Sequence, residues 1–169
     1  PHLELLRKKG IEVVLLHERV DEWVVGHLHE FDGKPLQSAA KGGLDLGTLE
    51  DEEEKKTREA QADEYKDLVE RIKKTLDERV KDVRVTSRLT ESPACLVADD
   101  YDMTANLQRI LKAVGQKAPM SKPILEINPS HPIVERLKGE TEKFDDWANL
   151  LFDQALLAEG GQLEDPGTF

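Results

Sequence analysis

Short apolar runs separated by polar turns fill the first forty residues. The leucines near the N-terminus are followed by basic residues and Gly10, a pattern typical of the end of a helix. The next apolar runs predict a strand, a helix and a second strand at 11–16, 21–31 and 34–40, with a turn before the last of them. This region is therefore predicted to be an incomplete α/β unit, too small to be a domain alone.

A glycine-rich stretch then divides the chain in two. Residues 41–49 include three glycines and few apolar side chains, so we expect a linker with a domain boundary near Gly47. On this division, residues 1–46 form the first part of the chain and residues 47–169 form the second.

The second part opens with one long predicted helix over 50–80, a stretch without glycine or proline. The first half of this helix is polar on all sides, whereas the second half carries an apolar stripe that predicts packing against a core. The stripe consists of Tyr65, Leu68, Val69, Ile72, Leu76 and Val80.

Three short strands are predicted after this helix. Residues 83–89 alternate apolar and polar side chains, and residues 94–98 follow a turn at Pro93, so these two runs predict a hairpin with one face open to solvent. Residues 124–127 predict the third strand. The fold class is therefore predicted to be α+β, with a small three-stranded sheet and flanking helices.

Two helices are predicted beside these strands from their start and stop residues. Asp99 or Asp100 can cap a helix that runs to Val114 before a glycine. Asn128-Pro129 and His131-Pro132 both resemble helix starts, and the shorter amphipathic helix that follows them ends at Gly139.

The last long helix, predicted over 144–158 after a cap at Thr141, is apolar on nearly every side. One small sheet cannot cover such a helix, so we expect the rest of its surface to pack against a second copy of the chain. The apolar side chains are Trp147, Leu150, Leu151, Phe152, Leu156 and Leu157. Asp165-Pro166 predicts a further helix that the sequence leaves incomplete, and we expect the chain, which begins at Pro1, to be part of a longer protein.

Charge, hydropathy and cysteine content remove several classes of function. The chain has 35 acidic and 24 basic residues and a net charge of -11, which argues against a nucleic-acid surface. No stretch reaches the roughly 18 apolar residues of a membrane span. The single cysteine allows no internal disulfide, and a cytoplasmic location fits best.

Motifs for catalysis, cofactor binding or metal binding are missing from the sequence. His27 and His29 lie two residues apart, which on a helix turns them in divergent directions, and the five histidines lack partners at ligand spacing. The glycines at 42–47 lack the Lys-Ser/Thr of a phosphate loop. Cys95 is better explained as a buried small side chain than as a nucleophile. We therefore predict no catalytic site, no cofactor and no metal in these residues.

Six short stretches are informative when they are taken together. They are Asp21-Glu22-Trp23, Glu30-Phe31-Asp32-Gly33-Lys34, Arg88-Leu89 with Ser92-Pro93, the run 126–134, Leu150-Leu151-Phe152 with Ala155-Leu156-Leu157, and Leu163-Glu164-Asp165-Pro166. In this order they resemble the ninety-kilodalton heat-shock chaperone family in its bacterial form. Each stretch is weak alone, but six in one order are hard to obtain by chance.

The resemblance implies a stress-response chaperone that assists protein folding and works as a homodimer on unfolded or partly folded clients, with co-chaperones as further candidate partners. Residues 1–46 would end its middle domain and residues 47–169 would be its C-terminal dimerisation domain. ATP and Mg would bind in an upstream domain, so this portion would not be an enzyme. The dimer contact would be a C-terminal helical bundle that also includes Phe169.

The resemblance also implies a client-contact surface on the helix predicted over 100–114. By composition alone, the apolar stripe of this helix would pack on its own sheet; the family instead places the matching helix in the cleft between protomers, with its stripe partly exposed. The implied client-binding residues are Trp23, Tyr101, Met103, Leu107, Ile110 and Leu111. Trp23 would equally well anchor the core of the first unit.

Two other functions remain open on these residues. One is a purely structural dimerisation module, and the other is the non-catalytic regulatory part of an enzyme.

Overall fold

A computed structural model describes residues 1–18, 20–43, 52–113, 115–116, 121–163 and 165–167, and these residues form the α+β fold that the sequence predicts. The helices are α1 (Glu4–Lys8), α2 (Asp21–His27), α3 (Glu52–Glu64), α4 (Lys66–Thr75), α5 (Ala105–Ala113), α6 (Pro132–Gly139) and α7 (Phe144–Ala158). The strands are β1 (Glu30–Phe31), β2 (Lys34–Pro35), β3 (Asp82–Val85), β4 (Ala94–Val97) and β5 (Ile124–Ile127).

The main sheet has the strand order β3-β5-β4, with β5 in the centre. β5 pairs in parallel with β3, where Ile124 lies opposite Asp82, and antiparallel with β4, where Ile127 lies opposite Ala94. The predicted hairpin between β3 and β4 is therefore wrong. The apolar β5 takes the position in which both of its edges pair and both of its faces are covered, and the connection 86–93 is long enough to lead the chain past it.

Different parts of the chain cover the two faces of this sheet. On one face, Val83, Leu125 and Ile127 join the main core with side chains from α4, α6 and α7. On the other face lie Leu89, Cys95, Val97 and Ile124, which form a second, smaller cluster. β4 is buried along its whole length, so the expectation of a solvated face is wrong for this strand; β5 is buried in the same way.

The predicted helix over 50–80 is two helices. It breaks at Tyr65, whose ring is buried and whose hydroxyl donates to the Pro129 carbonyl at 2.8 Å, and it ends at Thr75 rather than at Val80. The predicted stripe is confirmed, because Leu68 and Ile72 of α4 lie in the main core and Leu76 and Val80 continue it beyond the helix end. The polar first half, α3, lies outside that core.

The helices after the sheet begin and end close to their predicted positions. α6 starts at Pro132, and the Nδ1 atom of His131 accepts a hydrogen bond from the Ile133 amide. α7 spans 144–158 as predicted. Thr141 does not cap it; the Glu140 carboxylate instead accepts from the amides of residues 141–143, and the hydrogen bond from Lys143 is the main reason that its pKa is lowered.

The first part of the chain does not form the predicted α/β unit. Residues 11–16 are irregular, because no described strand lies beside them to pair with their backbone. α2 ends at His27, and the chain then forms the small hairpin β1–β2, whose turn places Asp32 and Gly33 in the left-handed region. The end of the expected linker and the boundary near Gly47 lie outside the described residues, so the domain division stays a prediction.

The short helix α1 docks onto the connection 86–93 through one carboxylate. Glu4 Oε2 accepts from the amides of Thr90 and Glu91 at 2.7 Å and of Ser92 at 3.1 Å, while Oε1 accepts from the Ser92 hydroxyl at 2.5 Å. Burial raises the pKa of this carboxyl, but the hydrogen bonds from Ser92, Glu91 and Thr90 outweigh burial and bring the pKa down from 4.5 to about 2. The ionised form of Glu4 therefore stabilises the folded state.

We expect Glu4→Gln to lower the free energy of unfolding by about 2 kcal/mol at neutral pH, because charged hydrogen bonds are replaced by neutral ones. Since the folded-state pKa is depressed, the difference between the parent chain and the variant should be complete above about pH 5. It should shrink as the pH falls from 4.5 towards 2. Urea titrations at several pH values measure it, with Glu12→Gln, an exposed position, as the control. Equal stabilities of parent and Glu4→Gln at pH 7 would contradict this account.

Candidate functional site

The predicted client-contact stripe lies on α5 and the residues just before it. The helix starts at Ala105 rather than near 100, because the Thr104 hydroxyl caps it by accepting from the Leu107 amide at 3.1 Å. Met103, Leu107 and Ile110 are half-buried, in agreement with the expected partial exposure. Leu111 is only 8% exposed, so for this residue the expectation is wrong. The stripe therefore has one position turned into the chain and three that keep apolar surface towards solvent.

Tyr101 and Trp23 are the aromatic candidates, and both are exposed. Tyr101 is 100% exposed in the turn before α5, so its ring contributes no packing to the fold. Trp23 is half-exposed on α2, next to the exposed Val24 and Val25, which does not fit a core anchor. The structure thus brings Tyr101 together with the α5 stripe in one segment, whereas Trp23 lies on another helix.

Helix α7 has an inner and an outer face. Leu151 and Phe152, predicted to serve a dimer contact as well as the core, lie in the chain's own core, which confirms the first of these roles; the second stays a prediction. Trp147, Leu150 and Leu156 are half-buried, and Leu157 is 43% exposed. The apolar surface available to a partner therefore consists of these four residues.

Phe169, the last predicted dimer residue, lies outside the described residues. The turn at Pro166-Gly167 is described, but the helix expected to start there is not.

Two arginines, Arg71 on α4 and Arg79 in the turn that follows α4, hold α7 in place. Arg71 lies over the Phe144 ring at 3.9 Å, and Arg79 lies over the Phe152 ring at 4.1 Å. Arg79 also donates to Asn149 at 2.8 Å and pairs with Asp153. These contacts hold the inner face of α7 in place, so its outer face is presented in a defined orientation.

A buried ionic network occupies the second face of the sheet. Glu126 on β5 is 2% exposed and Arg88 is 0% exposed; Arg88 Nε donates to Glu126 Oε2 at 2.8 Å. Arg84 on β3 donates through Nε and Nη2 to Glu126 Oε1 at 2.9 and 2.7 Å. Both arginines also donate to the Gly42 carbonyl, at 2.7 Å from Arg84 and 2.9 Å from Arg88. One carboxylate is thus held between two guanidinium groups that also reach the backbone of residues 39–42.

Sequence reasoning missed this network. Arg84 and Arg88 alternate with apolar residues, which predicted a solvated face, and the parallel pairing that sets Arg84 opposite Glu126 was not foreseen. The available signal was Glu126 itself, a carboxylate within an otherwise apolar strand, because a buried charge requires a partner.

Cys95 lies beside this network on β4. It is buried, as predicted, and its thiol donates to Glu126 Oε2 at 3.8 Å. Burial is the main cause that raises the pKa of the thiol well above its ordinary value, and the Glu126 charge raises it further. The arrangement disfavours the thiolate, so Cys95 is unsuited to act as a nucleophile.

Three of the five histidines lie close to other groups of the chain. His131 caps α6, the Nδ1 atom of His27 lies 2.9 Å from the Trp23 carbonyl, and His2 Nε2 lies 2.8 Å from Glu159 Oε1. Within the described ranges, no group of three or more His, Cys, Asp or Glu side chains is placed to hold a metal ion. In the same part of the chain, no helix combines the length and the apolarity needed to cross a membrane.

Comparison with known proteins adds a family. The family model described as "Hsp90 protein" matches residues 1–169. Proteins named "Chaperone protein HtpG" are 72% identical in Aromatoleum aromaticum, 68% in Dechloromonas aromatica and 67% in Nitrosospira multiformis, in each case over 100% of this chain. The matched region is 26%, 27% and 26% of those relatives, so the chain spans about a quarter of their length.

For the buried network we expect Glu126→Gln to lower the free energy of unfolding by about 3 kcal/mol, because the fully buried Arg88 guanidinium loses its charged partner, and the partly exposed Arg84 loses the same partner. Chemical denaturation measures the change. Glu135→Gln, the same substitution at an exposed position of α6, should change stability by less than about 0.5 kcal/mol. A similar small effect at Glu126 would show that the carboxylate does not hold the arginines.

Proposed function

Because this chain belongs to the Hsp90 protein family, we propose that it is the dimerisation and client-binding portion of an ATP-dependent molecular chaperone that assists the folding of other proteins. Its relatives are named as chaperones, and they are about four times longer than the matched region. In this proposal residues 1–46 end a middle domain, residues 47–169 form the dimerisation domain, and the protein works in the cytoplasm.

The observation that carries the client-binding part is the exposed apolar segment at α5. Tyr101 is fully exposed, and Met103, Leu107 and Ile110 beside it keep part of their apolar surface in solvent. Contiguous exposed apolar surface commonly marks an interaction site, and non-directional apolar contacts suit partners of varied sequence. The flexible Met103 side chain adds to this adaptability.

The net charge of -11 fits the same proposal. An exposed apolar segment promotes self-association, and like charges on two copies oppose it. Unfolded clients that expose apolar side chains would then compete well against non-specific contact between copies of the chaperone.

The dimerisation part of the proposal rests on α7. Its inner face is filled by the core, while the outer positions Leu150 and Leu157 are left for a second copy. An isologous contact would cover the same outer face on both copies. Phe169 belongs to this proposed interface through the family resemblance alone.

No chemistry is proposed for residues 1–169. We propose that ATP and Mg bind in an upstream domain of the longer protein, and that co-chaperones are further candidate partners. The competing function, a purely structural dimerisation module, shares the outer face of α7 but has no need of the exposed segment at α5. The second competing function is the non-catalytic regulatory part of an enzyme. This function requires neither binding of unfolded clients nor ATP turnover by the longer protein.

For client binding, we expect Tyr101→Ser with Leu107→Ser to weaken binding of an unfolded model protein by about tenfold or more, since each apolar contact contributes of order 1 to 2 kcal/mol. Fluorescence anisotropy of the labelled model protein gives the affinity. Phe31→Ser, another exposed aromatic position, is the control and should bind as the parent does.

Melting temperatures of the double variant and of Leu111→Ser show which of these side chains belong to the surface and which to the core. The double variant should melt near the parent, whereas Leu111→Ser should lose about 2 to 4 kcal/mol of stability because it empties a buried site. Unchanged client affinity in the double variant would favour the structural dimerisation module.

For dimerisation, we expect Leu157→Asp to raise the dissociation constant of the dimer by about tenfold or more, because a charge would enter an apolar contact. Sedimentation equilibrium measures the constant. Leu36→Asp is the matched control, since Leu36 is 47% exposed and Leu157 is 43% exposed. If both variants associate like the parent, the outer face of α7 is not the dimer contact.

A further inference from the structure

Residues 39–42 extend the main sheet beyond the end of β4. The Gly42 amide donates to the Ala98 carbonyl at 2.8 Å, and the Ala98 amide donates to the Ala40 carbonyl at 3.2 Å, which sets Lys41 parallel to Ala98. Residues 39–42 belong to the first part of the chain, residues 1–46, whereas Ala98 belongs to the second part. The contact therefore joins the two parts.

Two arginines of the buried ionic network also bind residues 39–42. Arg84 and Arg88 both donate to the Gly42 carbonyl, and Arg88 also donates to the Ala39 carbonyl. In these hydrogen bonds the segment contributes backbone atoms. Its attachment to the sheet is thus polar and independent of its side chains.

The segment has only small and polar side chains, so little apolar surface has to be exposed when it leaves the sheet. Residues 37–43 read Gln-Ser-Ala-Ala-Lys-Gly-Gly and include no large apolar side chain. The free energy of burying apolar surface is what makes most packed elements costly to separate, and this segment buries little such surface. Release would therefore cost mainly the hydrogen bonds to its carbonyls and amides.

The sheet would remain electrostatically satisfied after release. Glu126 would keep its hydrogen bonds from Arg88 Nε and Arg84 Nε, and the guanidinium groups that now reach Gly42 would be free to bind water. Both the docked and the released state thus pair the buried carboxylate. A segment can switch between two states only if the buried polar groups have hydrogen-bond partners in both of them.

We propose that residues 39–42 form a releasable latch on the second face of the sheet. In the docked state, Arg84, Arg88 and the Ala98 backbone hold the segment. In the released state, the segment leaves as one unit while β3, β5 and β4 stay paired, and the preceding residues with α2 are freed to change position relative to the sheet. The latch concerns the mechanics of the chain and does not depend on client binding.

Gly42 provides a specific way to bias the latch. Its φ of +54° lies in the left-handed region, and a Cβ atom added there would lie 1.8 Å from Asp100 Oδ1. An alanine would therefore oppose docking without touching the arginines or Glu126. At the neighbouring Gly43, a Cβ atom meets nothing within 4 Å, so Gly43→Ala is a matched control.

Native-state hydrogen exchange by NMR tests the proposal on the whole chain. The amides of Gly42 and Ala98 report docking directly, and the Leu125 amide on the central strand reports global unfolding. We expect the Gly42 and Ala98 amides to exchange with the same free energy, below that of Leu125, and with a small dependence on urea. If the Gly42 and Ala98 amides exchange with the same free energy and urea dependence as the Leu125 amide, the segment opens only in global unfolding and the latch is overturned. If the Gly42 and Ala98 amides exchange with different free energies, the segment frays residue by residue, which also overturns the latch.

Variants supply the second arm of this experiment. Gly42→Ala should speed the exchange of both amides by about tenfold, leaving Leu125 within about twofold of the parent. Gly43→Ala should change none of the three. If Gly42→Ala speeds the exchange of the Leu125 amide as much as that of the amides at positions 42 and 98, the segment is an inseparable part of the fold and the proposal fails.

Discussion

The buried carboxylate of Glu126 sets the constraint on which the rest of the structure depends. A carboxylate at the centre of a sheet has to be paired, and two guanidinium groups, from Arg84 and Arg88, pair it here. The arginines have more donors than one carboxylate can accept from, and the remaining donors turn to backbone carbonyls. The second face of the sheet is consequently covered by chain segments that bring carbonyl groups rather than by an apolar helix.

The two sheet faces thus follow different physical rules. The main core buries apolar side chains from α4, α6 and α7, and its contacts lack strict geometry. The opposite face is organised by directional hydrogen bonds: those of the ionic network, and those that the amides of residues 90–92 donate to the Glu4 carboxylate. Both polar attachments join residues before the predicted boundary near Gly47 to residues after it.

Local patterns were sufficient for α6 and α7 and insufficient for the sheet. The ranges of α6 and α7 and the stripe from Tyr65 to Val80 follow from helical periodicity and helix start residues, which depend on near neighbours. The order β3-β5-β4 depends on which strand is central, and residues far apart in sequence decide that. For the candidate surfaces, the sequence located the apolar residues of α5 and α7. It could not separate the inner positions Leu151 and Phe152 of α7 from the outer ones, and it did not place Leu111 inside, because helices apolar on several sides leave the orientation open.

The position of β5 also has a consequence for how the chain is made. On a ribosome, β3 and β4 emerge before the strand that pairs with both, and the first parallel partner of Asp82, Ile124, follows more than forty residues later. Until then the sheet has no hairpin with which to begin, and the edges of β3 and β4 stay unpaired. A nascent copy of this chain, itself from a chaperone family, therefore passes through an interval in which its own strands are open to misassembly.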